Sequence, residues 1–351
     1  MGNGQNTGLD FVAEDSSPFS QLTPDTILDA VESLGFLGSG HVQALNSYEN
    51  RVYQVGIEEW PDYLESPLGK SVIAKFYRPN RWTLGQIQEE HEFCQDLTND
   101  DVPVVAPLFL GADQETSLAE FAGFQLALYP MRSGHPLELD NSEHLTRIGR
   151  ILGKLHSTGK RFPFQQRQRF NAEHWGWSSR KWLLAGDHLP EDLRPAYESA
   201  SEHLLNRVAD LMEKVPYQSQ RIHGDFHPGN ILVRDGQPII VDFDDTVLGP
   251  AIQDIWMLLS GDTQQQEQQL KTVLDGYQMF ADFDPSELQL VECCRSLRIV
   301  HYAAWISRRW HDPAFPAAFP WFESARFWSD HILQIKEQLS ALDSPVLRIP
   351  D

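Results

Sequence analysis

Positive charge is scarce in this sequence: 28 Lys and Arg stand against 50 Asp and Glu in 351 residues, a formal net charge of −22. So few cations argue against non-specific binding to nucleic acid or to anionic membranes, both of which need a basic face. Cysteine is nearly absent. Cys94, Cys293 and Cys294 are too few and too oddly spaced for a disulfide framework or a zinc site. No run approaches the ~20 apolar residues of a membrane helix. The opening MGNGQNTGLD lacks the charged and apolar regions of a signal peptide. Gly2 is followed by Asn6 where a myristoylation motif needs Ser or Thr. These absences predict a cytoplasmic protein that works without nucleic acid and without a membrane; a monomer is the accompanying expectation.

Core-forming residues are plentiful. Hydrophobic residues make up 41% and aromatics 11% of a chain longer than one core comfortably serves, which predicts two lobes with a cleft between them. Residues 1–20, rich in Gly, Asn, Ser and Asp, read as a flexible tail. Thr23, Pro24 and Asp25 carry the signals of a helix start, with Gly35 beyond its end. Strands are predicted at 50–57, 71–77, 102–109 (VPVVAPLF) and 124–130 (FQLALYP), and a helix at 83–97. Past a connector near 128–134 helices dominate, at 143–156, from about 195 to 214, and from 266 onward. One hairpin interrupts them at 231–243, around the turn-forming Asp235-Gly236. The expected fold class is α+β: a β-rich lobe at 21–130 and a helical lobe at 131–351.

The most specific motif is HGDFHPGNILV at 223–233, followed by VDFDD at 241–245. Phosphoryl transfer needs a group to orient the acceptor hydroxyl, hard oxygen ligands for magnesium, and a clamp on the phosphates. Asp225 precedes Asn230 by five positions, the separation of base and metal-binding amide in a kinase catalytic loop. Asn230 opens the hairpin that delivers Asp242, so the two could converge on one ion. Lys75, isolated in the apolar strand VIAKFY, is the candidate clamp on the phosphates of ATP. Glu90 is the candidate carboxylate to hold it, with Glu89 as the alternative. A loop at 38–55 lies where phosphates would be covered. Gly38 and Gly40 are too few for a G-x-G-x-x-G pattern, so backbone N–H groups around Ser47 to Asn50 are the alternative.

Adenine would be read by backbone groups at the connector, with the Pro130 carbonyl as acceptor and the N–H of Met131 or Arg132 as donor. Asp254 and His223 read as buried supports of the catalytic loop. His227 could face phosphate or simply shape the loop. The aromatics of 301–328, beside Arg308 and Arg309, read mostly as core, with some available to an acceptor pocket.

These segments resemble the choline-kinase and aminoglycoside-phosphotransferase branch of the protein-kinase-like superfamily, in which H-G-D-x-x-x-x-N replaces H-R-D-x-x-x-x-N. ENRVYQV, VIAKFYRPNRW, EEHEF, VDFDDTVLGPAIQDIWMLL and the RSLRIVHYAAWI region extend the likeness to the bacterial stress response kinase A family, over roughly residues 22–338. The resemblance implies a bilobal protein-kinase-like fold and an ATP- and magnesium-dependent serine/threonine protein kinase. It places the proton acceptor on Asp225, the magnesium ligands on Asn230 and Asp242, and the clamp on Lys75. Against a protein acceptor stands the interval from Asp242 to Asp254, only twelve positions and too short for an activation segment. A small-molecule kinase acting on an amino alcohol, aminoglycoside or sugar is therefore the competing expectation. A nucleotide-binding scaffold without catalysis is a third, opposed by the intact set of Lys75, Asp225, Asn230 and Asp242.

Overall fold

A computed structural model describes residues 18–64, 69–111, 113 and 115–350. The tail predicted at 1–20 lies outside them except for its last three residues, as do Gly2 and Asn6. The first helix, α1 (Pro24–Glu32), starts as the sequence dictates. Thr23 Oγ1 accepts the Thr26 N–H at 3.2 Å, Pro24 fills the first turn, and Gly35 follows with φ +88°.

Five antiparallel strands then form one sheet: β1 (Leu37–Ala44), β2 (Arg51–Glu59), β3 (Ser71–Phe76), β4 (Ala119–Phe121) and β5 (Phe124–Pro130), in the spatial order β1-β2-β3-β5-β4. Strand β3 lies in the middle, with Lys75 between Val52 and Ala127. Helix α2 (Leu84–Asn99) opens with a reciprocal cap between Thr83 and Gln86. Its Phe93, Cys94 and Leu97 pack into the core of the second lobe. The sheet buries its own cluster, including Val55, Val72, Phe76, Leu126 and Leu128, under α1.

The strand predicted at 102–109 does not form. Pro103 and Pro107 lack the N–H groups a ladder needs. The segment runs instead as a strap touching both lobes. Leu108 N–H donates to the Leu128 carbonyl of β5 at 2.7 Å, while Val105 N–H donates to Ile240 O at 2.9 Å and Ile240 N–H to Pro103 O at 2.9 Å.

The second lobe begins with the short strand β6 (His135–Pro136) and α3 (Ser142–Gly159). A π-helical turn at Ala172–Trp177 runs into α4 (Ser178–Ala185), and α5 (Arg194–Lys214) follows. The catalytic segment is β7 (Gln220–Ile222), a loop, and the hairpin β8 (Ile231–Arg234) and β9 (Gln237–Ile240). Asp235 and Gly236 take φ +50° and +71°, the left-handed pair that a two-residue hairpin turn requires. Strand β10 (Val247–Gly249) pairs back on β7 and leads into α6 (Ile252–Ile255). The remaining helices are α7 (Thr263–Tyr277), α8 (Val291–Arg308), α9 (Ala314–Ala318) and α10 (Ala325–Ala341). Among the described residues no helix is long and apolar enough to cross a membrane.

Candidate active site

One cavity of about 900 Å³ opens between the lobes, at the upper end of the ~300–1,000 Å³ typical of small-molecule sites. Lys75, Glu90, Ser47, Asn50, Pro130, Arg132, Asp225, Asn230 and Asp242 all line it. These predicted contact residues are therefore brought to one place, while Met131, the alternative to Arg132, does not line the cavity. His223 and Asp254 lie fully buried behind it.

Lys75 is only 6% exposed. Its Nζ lies 3.3 Å from Glu90 Oε1, 3.0 Å from Asp244 Oδ1 and 3.8 Å from Asp242 Oδ1. Burial alone would lower its pKa, but Asp244 and Glu90 raise it well above the ordinary value, so the lysine is charged. Glu90 rather than Glu89 holds it: the Glu89 carboxylate faces the other way and accepts the backbone N–H groups of Gln165, Gln166 and Arg167. The second oxygen of Glu90 accepts from Arg167 at 2.9 Å. Arg167 in turn donates to the carbonyls of Asp244 and Thr246 at 2.7 and 3.1 Å, tying α2 to the segment after Asp242.

Replacing Glu90 with Gln keeps the shape but removes this charge-assisted contact, worth ~1.5–3 kcal/mol. The expected result is a roughly 10- to 100-fold fall in kcat/KM measured with ATP as the varied substrate. An unchanged value would mean that Asp244 alone holds Lys75.

The catalytic loop owes its shape to Gly224 and Asp254. Gly224 has φ +85°, and a Cβ there would stand 2.2 Å from the Asp245 carbonyl oxygen, so no larger residue fits. The Asp254 carboxylate accepts the N–H groups of His223 and Gly224, each at 2.8 Å, and pairs with His156 Nε2 at 3.0 Å. His223 Nε2 donates to the Val241 carbonyl at 3.0 Å, joining the loop to the end of the hairpin. Asp225 projects from this frame.

One Asp225 oxygen is ion-paired with Arg298 of α8, and the other lies 3.4 Å from His227 Nε2. Burial would raise the Asp225 pKa, but the His227 hydrogen bond and the Arg298 guanidinium hold it well below the usual carboxylate range. His227 is thus a neighbour of Asp225, and its Nδ1 accepts the Gly229 N–H at 2.9 Å.

Asn230 Nδ2 donates to the Asp225 carbonyl at 2.9 Å, so the amide's donor end is fixed within the loop. Asp242 has φ +62°, a left-handed conformation that Asp tolerates better than most residues and that is concentrated at functional sites. Its side chain is 57% exposed to the cleft. Desolvation nonetheless raises its pKa against the pull of Lys75, and the charges of Asp244 and Glu90 add to the rise. A divalent cation would neutralise that accumulation of negative charge. Among the described residues no three His, Cys, Asp or Glu side chains could hold an ion alone. Magnesium shared with nucleotide phosphates needs only one or two protein oxygens, and Asn230 with Asp242 fits that requirement.

The predicted phosphate cover is built differently from a glycine-rich loop. Ser47 Oγ donates to the Asn50 carbonyl at 3.2 Å, and Asn50 Oδ1 accepts the Arg78 N–H at 3.0 Å, so both side chains shape the loop from within. Glu49 at the loop tip pairs with Arg309 at 2.7 Å and accepts from Trp305 Nε1 at 2.5 Å. Asp312 pairs with Arg51 at 2.9 Å and Arg78 at 2.6 Å. Pro130 ends β5 opposite Val72, and exposed Arg132 follows it at the cleft mouth.

Four residues that sequence reasoning did not single out belong to this site. Arg298 grips Asp225; Arg81 pairs with Asp244 and Asp245; Asp244 shares Lys75 with Glu90; Arg167 completes the clamp. Arg81 stands in VIAKFYRPNRW and Asp244 in VDFDD, segments already marked, whereas Arg167 lies in none of them.

The pattern of the phosphotransferase enzyme family matches residues 41–291. A serine/threonine protein kinase, RdoA, of Salmonella typhimurium is 39% identical over 94% of this chain and 97% of its own length. Stress response kinase A of Escherichia coli K12 matches at the same identity and coverage. Among solved structures, an amicoumacin kinase in complex with AMP-PNP, Ca2+ and amicoumacin superposes with TM-score 0.68 at 18% identity, over 92% of this chain and 95% of that one. A microcompartment-associated aminopropanol kinase superposes with TM-score 0.63 at 19% identity, over 92% and 99%. Both structural likenesses speak to the fold. The chain belongs to the phosphotransferase enzyme family and, within it, to the stress response kinase A group: it is a kinase of bilobal, protein-kinase-like α+β fold.

Proposed function

We propose that this chain is an ATP- and magnesium-dependent serine/threonine protein kinase of the cytoplasm, active as a monomer. The observation that carries the reading is the convergence of Lys75, Asp225, Asn230 and Asp242 from one chain on a single cleft. Lys75, fixed by Glu90, grips the phosphates, and the backbone at Pro130 to Arg132 meets the adenine. Asn230 and Asp242 would hold magnesium, which would offset negative charge on the nucleotide phosphates.

Asp225 orients the acceptor hydroxyl. The oxygen facing His227 has the looser contact, so that oxygen receives the hydroxyl while Arg298 keeps the carboxylate in place. A loose phosphoryl-transfer transition state asks for position and charge more than for basicity, which suits a carboxylate of depressed pKa. The three cysteines are free and buried, and burial pushes the Cys293 thiol up to about 12, as suits a reducing compartment.

The segment between Asp242 and Asp254 is spent on a tight turn, β10 and α6. Any peptide acceptor must therefore enter as an extended segment against α8 and α4. Offering radiolabelled ATP with a generic protein substrate beside a panel of small alcohols tests the reading. Label on the protein is expected, and label on the alcohols alone would overturn it.

A further inference from the structure

The loop that would cover the phosphates, residues 45–50 between β1 and β2, contains no glycine, so its backbone is set by other means. Two arginines set it. Arg51 Nη1 donates to the carbonyls of Tyr48 and Asn50 at 3.2 and 3.3 Å. Arg78 donates from Nε to the Glu49 carbonyl at 2.8 Å and from Nη2 to the Tyr48 carbonyl at 3.1 Å. Tyr48, Glu49 and Asn50 line the cavity, whereas Arg51 and Arg78 do not. The carbonyls are thus drawn to the side of the loop away from the cleft. In a trans peptide the N–H points opposite to the C=O, so the N–H groups of Glu49 and Asn50 turn toward the cleft. Among the described residues neither N–H has a backbone acceptor.

Both arginines are held in turn by Asp312, which lies between α8 and α9 in the opposite lobe. Its carboxylate accepts Arg51 Nη2 at 2.9 Å on each oxygen and Arg78 Nη2 at 2.6 Å, and its Oδ1 accepts the Ala314 N–H at 3.1 Å. Asp312 is 2% exposed and stands outside the cavity lining. Both guanidinium groups also stand over the Phe19 ring, at 4.4 Å for Arg51 and 5.2 Å for Arg78. A buried arginine such as Arg78 needs a carboxylate to offset its charge, and the shared carboxylate fixes where both forks point.

We propose that Asp312 is a positioning residue for phosphoryl transfer: through Arg51 and Arg78 it sets the loop so that the N–H groups of Glu49 and Asn50 meet the outer phosphates of ATP. The proposal rests on the nucleotide-binding reading above and deepens it. Asp312 belongs to the helical lobe, while the loop and both arginines belong to the β-rich lobe. The phosphates are therefore covered only while the two lobes are together.

Titrating the protein in magnesium buffer with AMP-PNP and, separately, with adenosine tests this, since only the first carries phosphates. Asp312→Asn keeps the shape but loses the charge shared by the two arginines. It is expected to weaken AMP-PNP binding about tenfold, the lower end for a charge-assisted contact, while adenosine binding stays within about twofold. Arg51→Gln, at a partly exposed position, should weaken AMP-PNP binding about threefold, as for the loss of an ordinary hydrogen bond, again sparing adenosine. A purely structural role would lower both affinities together. That result, or an unchanged AMP-PNP affinity in the variants, overturns the proposal and leaves the kinase reading standing. Should Asp312→Asn fail to fold, Arg51→Gln decides alone. A wild-type chain that binds adenosine but not AMP-PNP overturns both.

Discussion

Asp225→Asn lowers kcat by about 10²- to 10⁴-fold, the contribution of a positioned acid–base group, while ATP binding stays within a few fold of the wild type. The separation follows from the geometry. Asp225 contacts Arg298, His227 and, through its carbonyl, Asn230, whereas the nucleotide clamp proposed above would be made by Lys75, Glu90 and Asp244. Asparagine keeps the shape but has one carbonyl oxygen in place of two anionic ones. If that oxygen stays with Arg298, the hydroxyl meets an amide N–H. Steady-state kinetics beside nucleotide titration measure both quantities. Turnover near the wild-type rate with ATP bound would remove Asp225 from the mechanism.

Asp254→Ala costs about 3–5 kcal/mol of stability. This fully buried carboxylate is the acceptor for two backbone N–H groups and one imidazole. Alanine strands all three, and each uncompensated buried donor costs ~1–3 kcal/mol. Asp254→Asn should lose less, since its one oxygen still accepts. The same loop carries Asp225, so the folded fraction of the Ala variant should also turn over slowly. Denaturant titration and kinetics on folded protein separate the two effects. A change below about 1 kcal/mol would show that the loop holds its shape without this brace.

The catalytic segment was legible because its geometry is local. Gly224, Asp225 and Asn230 lie within seven positions, and Asp235-Gly236 fixes the turn that returns the chain to Asp242. Helix ends were legible for the same reason, since Thr23 and Thr83 cap residues three positions on. The segment at 102–109 was misread because its apolar composition is that of a strand while its two prolines deny it a ladder. The arginines of the site resisted reading for a different reason. Arg298 lies 73 positions from Asp225 and Arg81 163 from Asp244, and at such separations only the packed fold selects a partner. The choice of Glu90 over Glu89, by contrast, was legible, because Phe93, Cys94 and Leu97 follow Glu90 at spacings that turn its face inward toward Lys75.

The strap between the lobes has a mechanical consequence. Its hydrogen bonds fasten β5 on one side and the β8–β9 hairpin on the other, at points only three residues apart. Stretching such a link is costly, whereas rotating about it is cheap. Any movement of one lobe against the other would therefore pivot about residues 105–108, and the mouth would open widest at the far edge, where Glu49 meets Arg309 and Asp312 meets Arg51. Those pairs are largely buried, with Glu49 and Arg309 at 13% and 12% side-chain exposure and Asp312 at 2%, so together with the contacts of Lys75 they would hold the jaws shut with little weakening by dissolved salt.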